Sequence, residues 1–290
     1  MDFKDLNVKE LDRNLSEEEK REWNAIYASY RAGSLLTGKV AGIDMTSVTV
    51  HNQSRGEPER TRVLCLAIID YRVKVLIPEQ EVWFDEKTKR PSHVLRSMTG
   101  SMIDYVIIGI DRENNCCVAS RRLALQIRRR TFLKGLPEAG EKTVIDVLAV
   151  GASHMLAVCG GFDVTFSGRD LSYGMIRDLR EQYHPGEKYT AVVKGFHEDK
   201  TPILSVKEAK PHPFDGAERR HPLNSRRASV ISGKYKGGVF CKLEEELDCL
   251  CTYSQYQADT DFKIGDRVIV AITKFDYVRK LVYGRIVAKW

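Results

Sequence analysis

One pattern recurs three times down this chain of 290 residues. A repeat constrains folding more than any single motif, because every copy must build the same supersecondary unit. The copies begin at Gly100, Gly186 and Gly265, each a turn glycine feeding a strand-like apolar stretch that ends at Asp111, His197 and Asp276. Each copy then closes on a small residue with an alanine four places later: Ser120 and Ala124, Ser205 and Ala209, Gly284 and Ala288. Short apolar strands at this density, separated by brief polar turns, predict a small all-β barrel in each repeat. The expected bounds are a helical extension over 1–33 and barrels over 34–130 (elaborated), 135–210 and 224–290. Lys210–Gly216 and Arg219–Pro222 read as linker.

Helical signal is confined to the N-terminal segment and to connectors, chiefly Asp170–Gln182. Ser16 with Glu19 makes a capping box, and Trp23, Ile26, Tyr27 and Tyr30 share one helical face before Gly33 ends it. This helix is expected to dock on barrel one, burying Trp23, Tyr27 and Tyr30. Barrel one needs such a cover, since Val63, Cys65, Ala67 and Ile69 alternate with Leu64, Leu66 and Ile68 and both faces of that strand call for burial.

Hydrophobic residues at 42% and charged residues at 30% describe an ordinary globular chain. No apolar run approaches the roughly 20 residues of a membrane span. The acidic, polar start is unlike a signal peptide, so a cytoplasmic location is expected. Seven cysteines without a CxxC read as reduced structural thiols. Net charge is +6, with +5 in residues 34–130 and +4 in 211–290 against −2 in 1–33 and −1 in 131–210. A basic excess concentrated in two blocks suits a polyanion-binding surface and suits plain solubility equally well. Scattered histidines without HExxH or a nucleophile elbow argue against an enzyme. A thiol site at His154 and Cys159 is improbable, and neither a metal nor a cofactor is expected.

The repeats resemble the RNA-binding repeat of the ribosomal protein S-one family, a five-stranded oligonucleotide-binding (OB) barrel. Repeat three carries the resemblance best: Val230–Leu243 is similar to the family's first two strands with a Lys-Gly-Gly turn, and Cys249–Tyr256 falls where the family has a Gly-Leu-Val-His-Ile-Ser-Glu-Leu segment. Gly160–Leu171 and Leu204–Lys207 fit in repeat two, and Ile77–Glu81 and Ala119–Arg122 in repeat one. The resemblance implies an all-β chain of three tandem OB barrels with an N-terminal α-helix and short connecting helices. It also implies a nucleic-acid face of two aromatics on the second strand, a histidine on the third, and an acid and a base on the closing hairpin. Repeat three supplies Phe240, Asp276 and Lys280, while Gly237 and Thr252 replace the first aromatic and the histidine. Repeat two offers Leu156 and Ser167 at the aromatic and histidine places, and repeat one offers Leu66 and Pro78.

Strand alternation puts Phe240 and Lys242 outward from Val239, Cys241 and Leu243, with Lys234, Tyr235 and Lys236 just upstream. An outward ring flanked by lysines is a base-stacking platform in a basic groove. The expected interface is therefore Tyr235, Lys236, Phe240 and Lys242, together with Thr252, Asp276 and Lys280, which the resemblance implies. The clusters Arg128, Arg129, Arg130 and Arg226, Arg227 are candidate phosphate contacts. These residues predict a binder of single-stranded RNA with low sequence preference, an adaptor in translation or RNA metabolism whose partner is mRNA or the ribosome. Barrels one and two leave room for a protein partner, and no membrane is involved. The competing expectation is a protein-interaction scaffold whose degenerate barrels dock on a ribosome, polymerase, nuclease or other assembly.

Overall fold

The computed structural model describes residues 15–51, 58–174, 176–235, 238–244, 247–253 and 259–289. Among the described residues, fifteen strands fall into three groups of five. The first group is β1 (Leu36–His51), β2 (Pro58–Ile69), β3 (Lys74–Pro78), β4 (Met102–Asp111) and β5 (Cys116–Ser120), closed into a barrel of order β1-β2-β3-β5-β4. The third, β11 (Arg226–Tyr235), β12 (Gly238–Glu244), β13 (Leu247–Thr252), β14 (Arg267–Asp276) and β15 (Leu281–Lys289), closes in the same order. The second comprises β6 (Lys142–Val150), β7 (His154–Cys159), β8 (Phe162–Ser167), β9 (Lys188–Phe196) and β10 (Pro202–Ser205). Its order, β10-β9-β6-β7-β8, is the same ring cut between the third and fifth strands, an open sheet where a third closed barrel was expected. These are tandem OB folds, mostly β, with an N-terminal helix.

The repeated glycine has a physical role common to all three copies. Strand one of each group carries a β-bulge, after Val40, Val147 and Ile231. The N–H of Gly100, Gly186 and Gly265 donates to the carbonyl of Val40, Val147 and Ile231 at 2.8, 2.9 and 2.9 Å. The N–H of the bulged residue returns a bond to the residue after the glycine, at 2.9 Å from Val40, 2.9 Å from Val147 and 3.0 Å from Ile231. That exchange needs a left-handed residue, and the glycines have φ of 92, 91 and 96°. The closing small residue is explained by packing: a Cβ on Gly284 would meet Val270 Cγ1 at 2.5 Å and Cys249 Sγ at 2.8 Å. Ser120 and Ser205 are buried at the same place, whereas the alanine that follows is buried at Ala124 and exposed at Ala288.

Helix α1 (Glu17–Ala32) has the capping box and the left-handed Gly33 cap that its sequence requires. It buries Trp23, Ile26 and Tyr27 in one core cluster with Leu66, Ile68 and Ile107, but Tyr30 stays 36% exposed, contrary to expectation. Glu22 accepts hydrogen bonds from the backbone N–H groups of Tyr71, Arg72 and Val73, and Ser29 Oγ accepts from Ile107 N–H at 3.0 Å. Ile107 borders a register shift in the β4–β5 ladder, so the helix supplies an acceptor at an interrupted stretch of pairing. Both faces of β2 are buried over Cys65–Ile68, with Val63 buried and Leu64 half-buried, while Ile69 is exposed.

A short helix α2 (Ser92–Ser97) lies between β3 and β4, and helix α3 (Arg121–Lys134) leads from β5 toward β6. Among the described residues of the stretch expected to be helical, Asp170–Gln182, helix is confined to the end of one turn, Gly168–Leu171, and a 3-10 turn at Leu179–Glu181. By compactness the chain falls into two units, Met1–Thr165 with Leu179–Ile203, and Phe166–Asp178 with Leu204–Trp290. Within the second, Phe214 of the expected linker and Ala217 beside it are buried in the core of barrel three.

Candidate nucleic-acid interface

In barrel three Val239, Cys241, Cys249, Cys251, Val282 and Ile286 point into the core, leaving the alternate residues outward. Strand pairing lines these outward residues up in rows across the sheet. Phe240 pairs with Leu250, Leu250 with Tyr283, and Tyr283 with Lys274. Two residues further along, Thr252 pairs with Arg285, Arg285 with Ala271, and Ala271 with Arg226. One row is thus aromatic and apolar, ending on a lysine whose Nζ lies 6.0 Å from the centre of the Tyr283 ring. The adjacent row carries two exposed arginines. Rings that stack bases beside cations that meet phosphates are the two components of sequence-tolerant single-strand binding.

Each expected site residue has a definite place. Tyr235 is 46% exposed and its ring lies 5.4 Å from that of Phe240, tilted by 33°, so an aromatic pair exists although Gly237 stands where the family has its first ring. Lys242 is exposed beside this pair, opposite Asp248. Thr252 is exposed and begins the basic row. Asp276 and Lys280 lie at the closing hairpin, away from both rows: Asp276 accepts from Arg279 N–H at 2.9 Å, and Lys280 Nζ is 3.4 Å from Asp215 Oδ1. Lys236 and Gly237 fall outside the described residues. Sequence reading missed Tyr283, Lys274 and Arg285; the alternation Val282, Gly284, Ile286 around two of them was the available signal.

The arginine clusters divide. Arg226 joins the basic row, but Arg227 turns inward and donates to Arg220 O at 2.8 Å. On α3, Arg130 is exposed, while Arg128 pairs with Asp104 at 2.6 Å. The Arg129 guanidinium sits 3.5 Å from the centre of the Phe84 ring and 4.3 Å from that of Phe162, and burial lowers its pKa against the opposing pull of Asp163 and Asp85. Arg129 is therefore a packing element, which corrects its reading as a phosphate contact, and Arg227 and Arg128 are likewise engaged within the fold.

The same register exposes what repeats one and two have lost. Aligning the bulges puts Ala67 of β2 and Leu156 of β7 at the place of Phe240. Leu66, expected at that place, is one residue out and faces the core, because a single-residue offset reverses the face of a strand. In barrel one the aromatic row becomes Ala67, Leu76, Val118 and Gly109. Ala67 and Leu76 are 7% and 6% exposed, and no ring or cation remains. Leu156 is 7% exposed and belongs to the core cluster that also holds Leu95, Met98 and Trp83 of repeat one.

The cysteines are buried, except Cys116, which is half-buried. Burial pushes the Cys159 thiol up, and Cys65 and Cys117 to about 11 and 12. Among the described residues no cluster of three His, Cys, Asp or Glu side chains could hold a metal, and no helix is long and apolar enough to cross a membrane.

Curated relatives are similar to much of the chain. Small ribosomal subunit protein bS1 of Neisseria meningitidis is 25% identical over 205 residues, covering 66% of this chain and 36% of the relative. The bS1 protein of Coxiella burnetii is 27% identical over 240 residues, 80% of this chain and 39% of the relative. The chain thus spans less than half the length of these relatives. No family model matches it. Among solved structures, a multidomain protein with nucleic acid binding domains from Streptococcus pneumoniae aligns over 88% of this chain and 73% of its own at 12% identity, with a TM-score of only 0.21. The sequence relatives are those of an S1-like chain of tandem OB folds, at the distance of remote homology.

Proposed function

We propose that this S1-like chain binds single-stranded RNA on the outer face of barrel three, with little sequence preference, as an adaptor in translation or RNA metabolism. The observation that carries the reading is the pair of adjacent rows, Phe240-Leu250-Tyr283-Lys274 and Thr252-Arg285-Ala271-Arg226, which set stacking surface beside positive charge. Base stacking on rings is tolerant of sequence because every base has a π-face. The name of the relatives, a small ribosomal subunit protein, supports a setting on or near the ribosome; the proposal adds a cytoplasmic location and mRNA as the strand held. Turnover of a substrate forms no part of this role.

The competing scaffold reading drew its strength from the missing aromatics of repeats one and two. Repeat two has an internal reason for that loss: Leu156 packs into a core shared with repeat one and presents only a small apolar edge to the adjoining cleft. The deciding experiment is a fluorescence-anisotropy titration of labelled unstructured RNA at low and high salt. Salt-sensitive binding, weakened in Phe240→Ala, supports the proposal; absence of binding even at low salt transfers the role to protein docking.

A further inference from the structure

Among the described residues, two cavities of the first compact unit stand out by volume. The larger, of about 470 Å³, contains Asp104, Arg128, Asp146 and Lys188. Its charges are already paired, Arg128 on Asp104 at 2.6 Å, Lys188 on Asp146 at 3.1 Å and Arg121, also in the lining, on Asp163 at 2.6 Å, so each cation there is already engaged by a carboxylate.

The second, of about 380 Å³, has a one-sided chemistry. Repeat one contributes Arg90 and the start of α2, and repeat two contributes β7 and Thr165 of β8. The walls present one guanidinium, the imidazoles of His93 and His154, and the hydroxyls of Ser97, Ser153 and Thr165, with no carboxylate among them. Arg90 Nη2 donates to Thr165 Oγ1 at 3.3 Å, while its Nε is shut off from solvent and has no hydrogen-bond partner. That Nε lies out of reach of a ligand in the cleft, so an oxyanion there would meet the guanidinium through its Nη groups, as a charge-assisted hydrogen bond. The remaining lining is apolar, including Val94, Ala149 and Leu156. Leu156 stands at the register place that Phe240 occupies in barrel three.

We infer that this cleft is a second binding site, built jointly by repeats one and two, for a phosphorylated ribonucleotide unit. The phosphate meets Arg90 and the neighbouring hydroxyls, and the base lies against the apolar floor of Val94 and Leu156. The volume lies within the range of pockets that enclose a small ligand and suits one nucleotide unit better than a longer segment. The site is independent of the barrel-three rows; only its use by RNA, rather than by a free nucleotide, rests on the RNA-binding reading above.

The test is a ligand-observed NMR titration with adenosine 5′-monophosphate, and separately with inorganic phosphate, on the full chain. An anisotropy titration with an unstructured oligoribonucleotide runs in parallel. The variants are Arg90→Gln, Ser97→Asp, which puts a carboxylate at an exposed position on the rim, and Phe240→Ala with Tyr283→Ala. Loss of one charge-assisted contact is expected to weaken the mononucleotide roughly tenfold in Arg90→Gln. Ser97→Asp should weaken it in the same direction without touching the fold, and the barrel-three variant should leave it unchanged. If the oligoribonucleotide also weakens in Arg90→Gln, the site takes RNA; if only the mononucleotide does, it takes free nucleotides. Equal mononucleotide affinity in the parent and Ser97→Asp overturns the site, and so does inorganic phosphate binding as tightly as the nucleotide. Should the parent fail to bind the oligoribonucleotide while mononucleotide binding still depends on Arg90, the RNA-binding reading falls and this one stands.

Discussion

Phe240 and Tyr283 face outward from strands two and five of barrel three with Leu250 registered between them, so two rings flank one apolar residue across three adjacent strands. Adjacent strands lie about 4.8 Å apart, which places the two ring positions roughly 10 Å from each other and gives each room for its own base. Tyr235 adds a third ring on the other side of Phe240. Phe240→Ala and Tyr283→Ala are each expected to weaken RNA binding by about 1–3 kcal/mol with the salt slope unchanged. Anisotropy titrations at several salt concentrations measure both quantities; variants that fold normally and bind as the parent does would remove the stacking platform.

Arg285→Ala and Lys274→Ala should behave differently. Each contact to a phosphate contributes about 0.7 to the slope of log affinity against log salt for a single strand. A loss of affinity accompanied by an unchanged slope would mean that neither cation meets phosphate.

At the closing hairpin Lys280 is already in contact with Asp215, both side chains being well exposed. A phosphate reaching Lys280 must displace that carboxylate. Asp215→Asn is therefore expected to tighten RNA binding slightly, by about 0.2–1 kcal/mol, the range of an exposed ion pair, whereas Lys280→Ala should weaken it. Tighter binding in neither salt condition would place Lys280 outside the path of the RNA.

Arg121 and Asp163 form a fully buried ion pair at 2.6 Å that ties the start of α3 to strand β8, and Arg121 also donates to Val82 O at 2.9 Å. Asp163→Ala leaves the guanidinium buried without its counter-charge, and a loss of about 3–5 kcal/mol is expected. Arg121→Met combined with Asp163→Leu should recover much of that loss, because two apolar side chains need no solvation. Denaturant melts of the single and double variants decide the matter, and an additive double variant would show that the pair is not coupled.

Ser29 links α1 to barrel one by accepting from Ile107 N–H and donating to Ser34 O at 2.7 Å. Ser29→Ala leaves a buried backbone donor without an acceptor, expected to cost about 1–3 kcal/mol. Faster amide exchange at Ile107 would accompany the loss; protection equal to that of the parent would show that another acceptor takes over.

Local chemistry is what the sequence by itself determined. The capping box at Ser16 and Glu19, the Gly33 stop, the three turn glycines and the outward Phe240 all follow from neighbours a few residues away, and all stand where the sequence puts them. The repeat of Gly100, Gly186 and Gly265 sufficed for tandem OB folds, because a left-handed turn returning to a bulged first strand is a short-range requirement made three times. Tertiary structure alone decided which distant residues share a row. Tyr283 and Lys274 join Phe240 only through the order in which β12, β13, β15 and β14 pair, which no spacing along the chain encodes. The bulge decided between Leu66 and Ala67, since one extra residue in the first strand reverses which side of its partner faces out. Packing likewise decided the arginines: the run Arg128–Arg130 looks uniform in sequence, yet Asp104 and the rings of Phe84 and Phe162, all remote in the chain, take the first two and leave Arg130 to solvent. A charge is free or engaged according to the atoms that folding brings beside it.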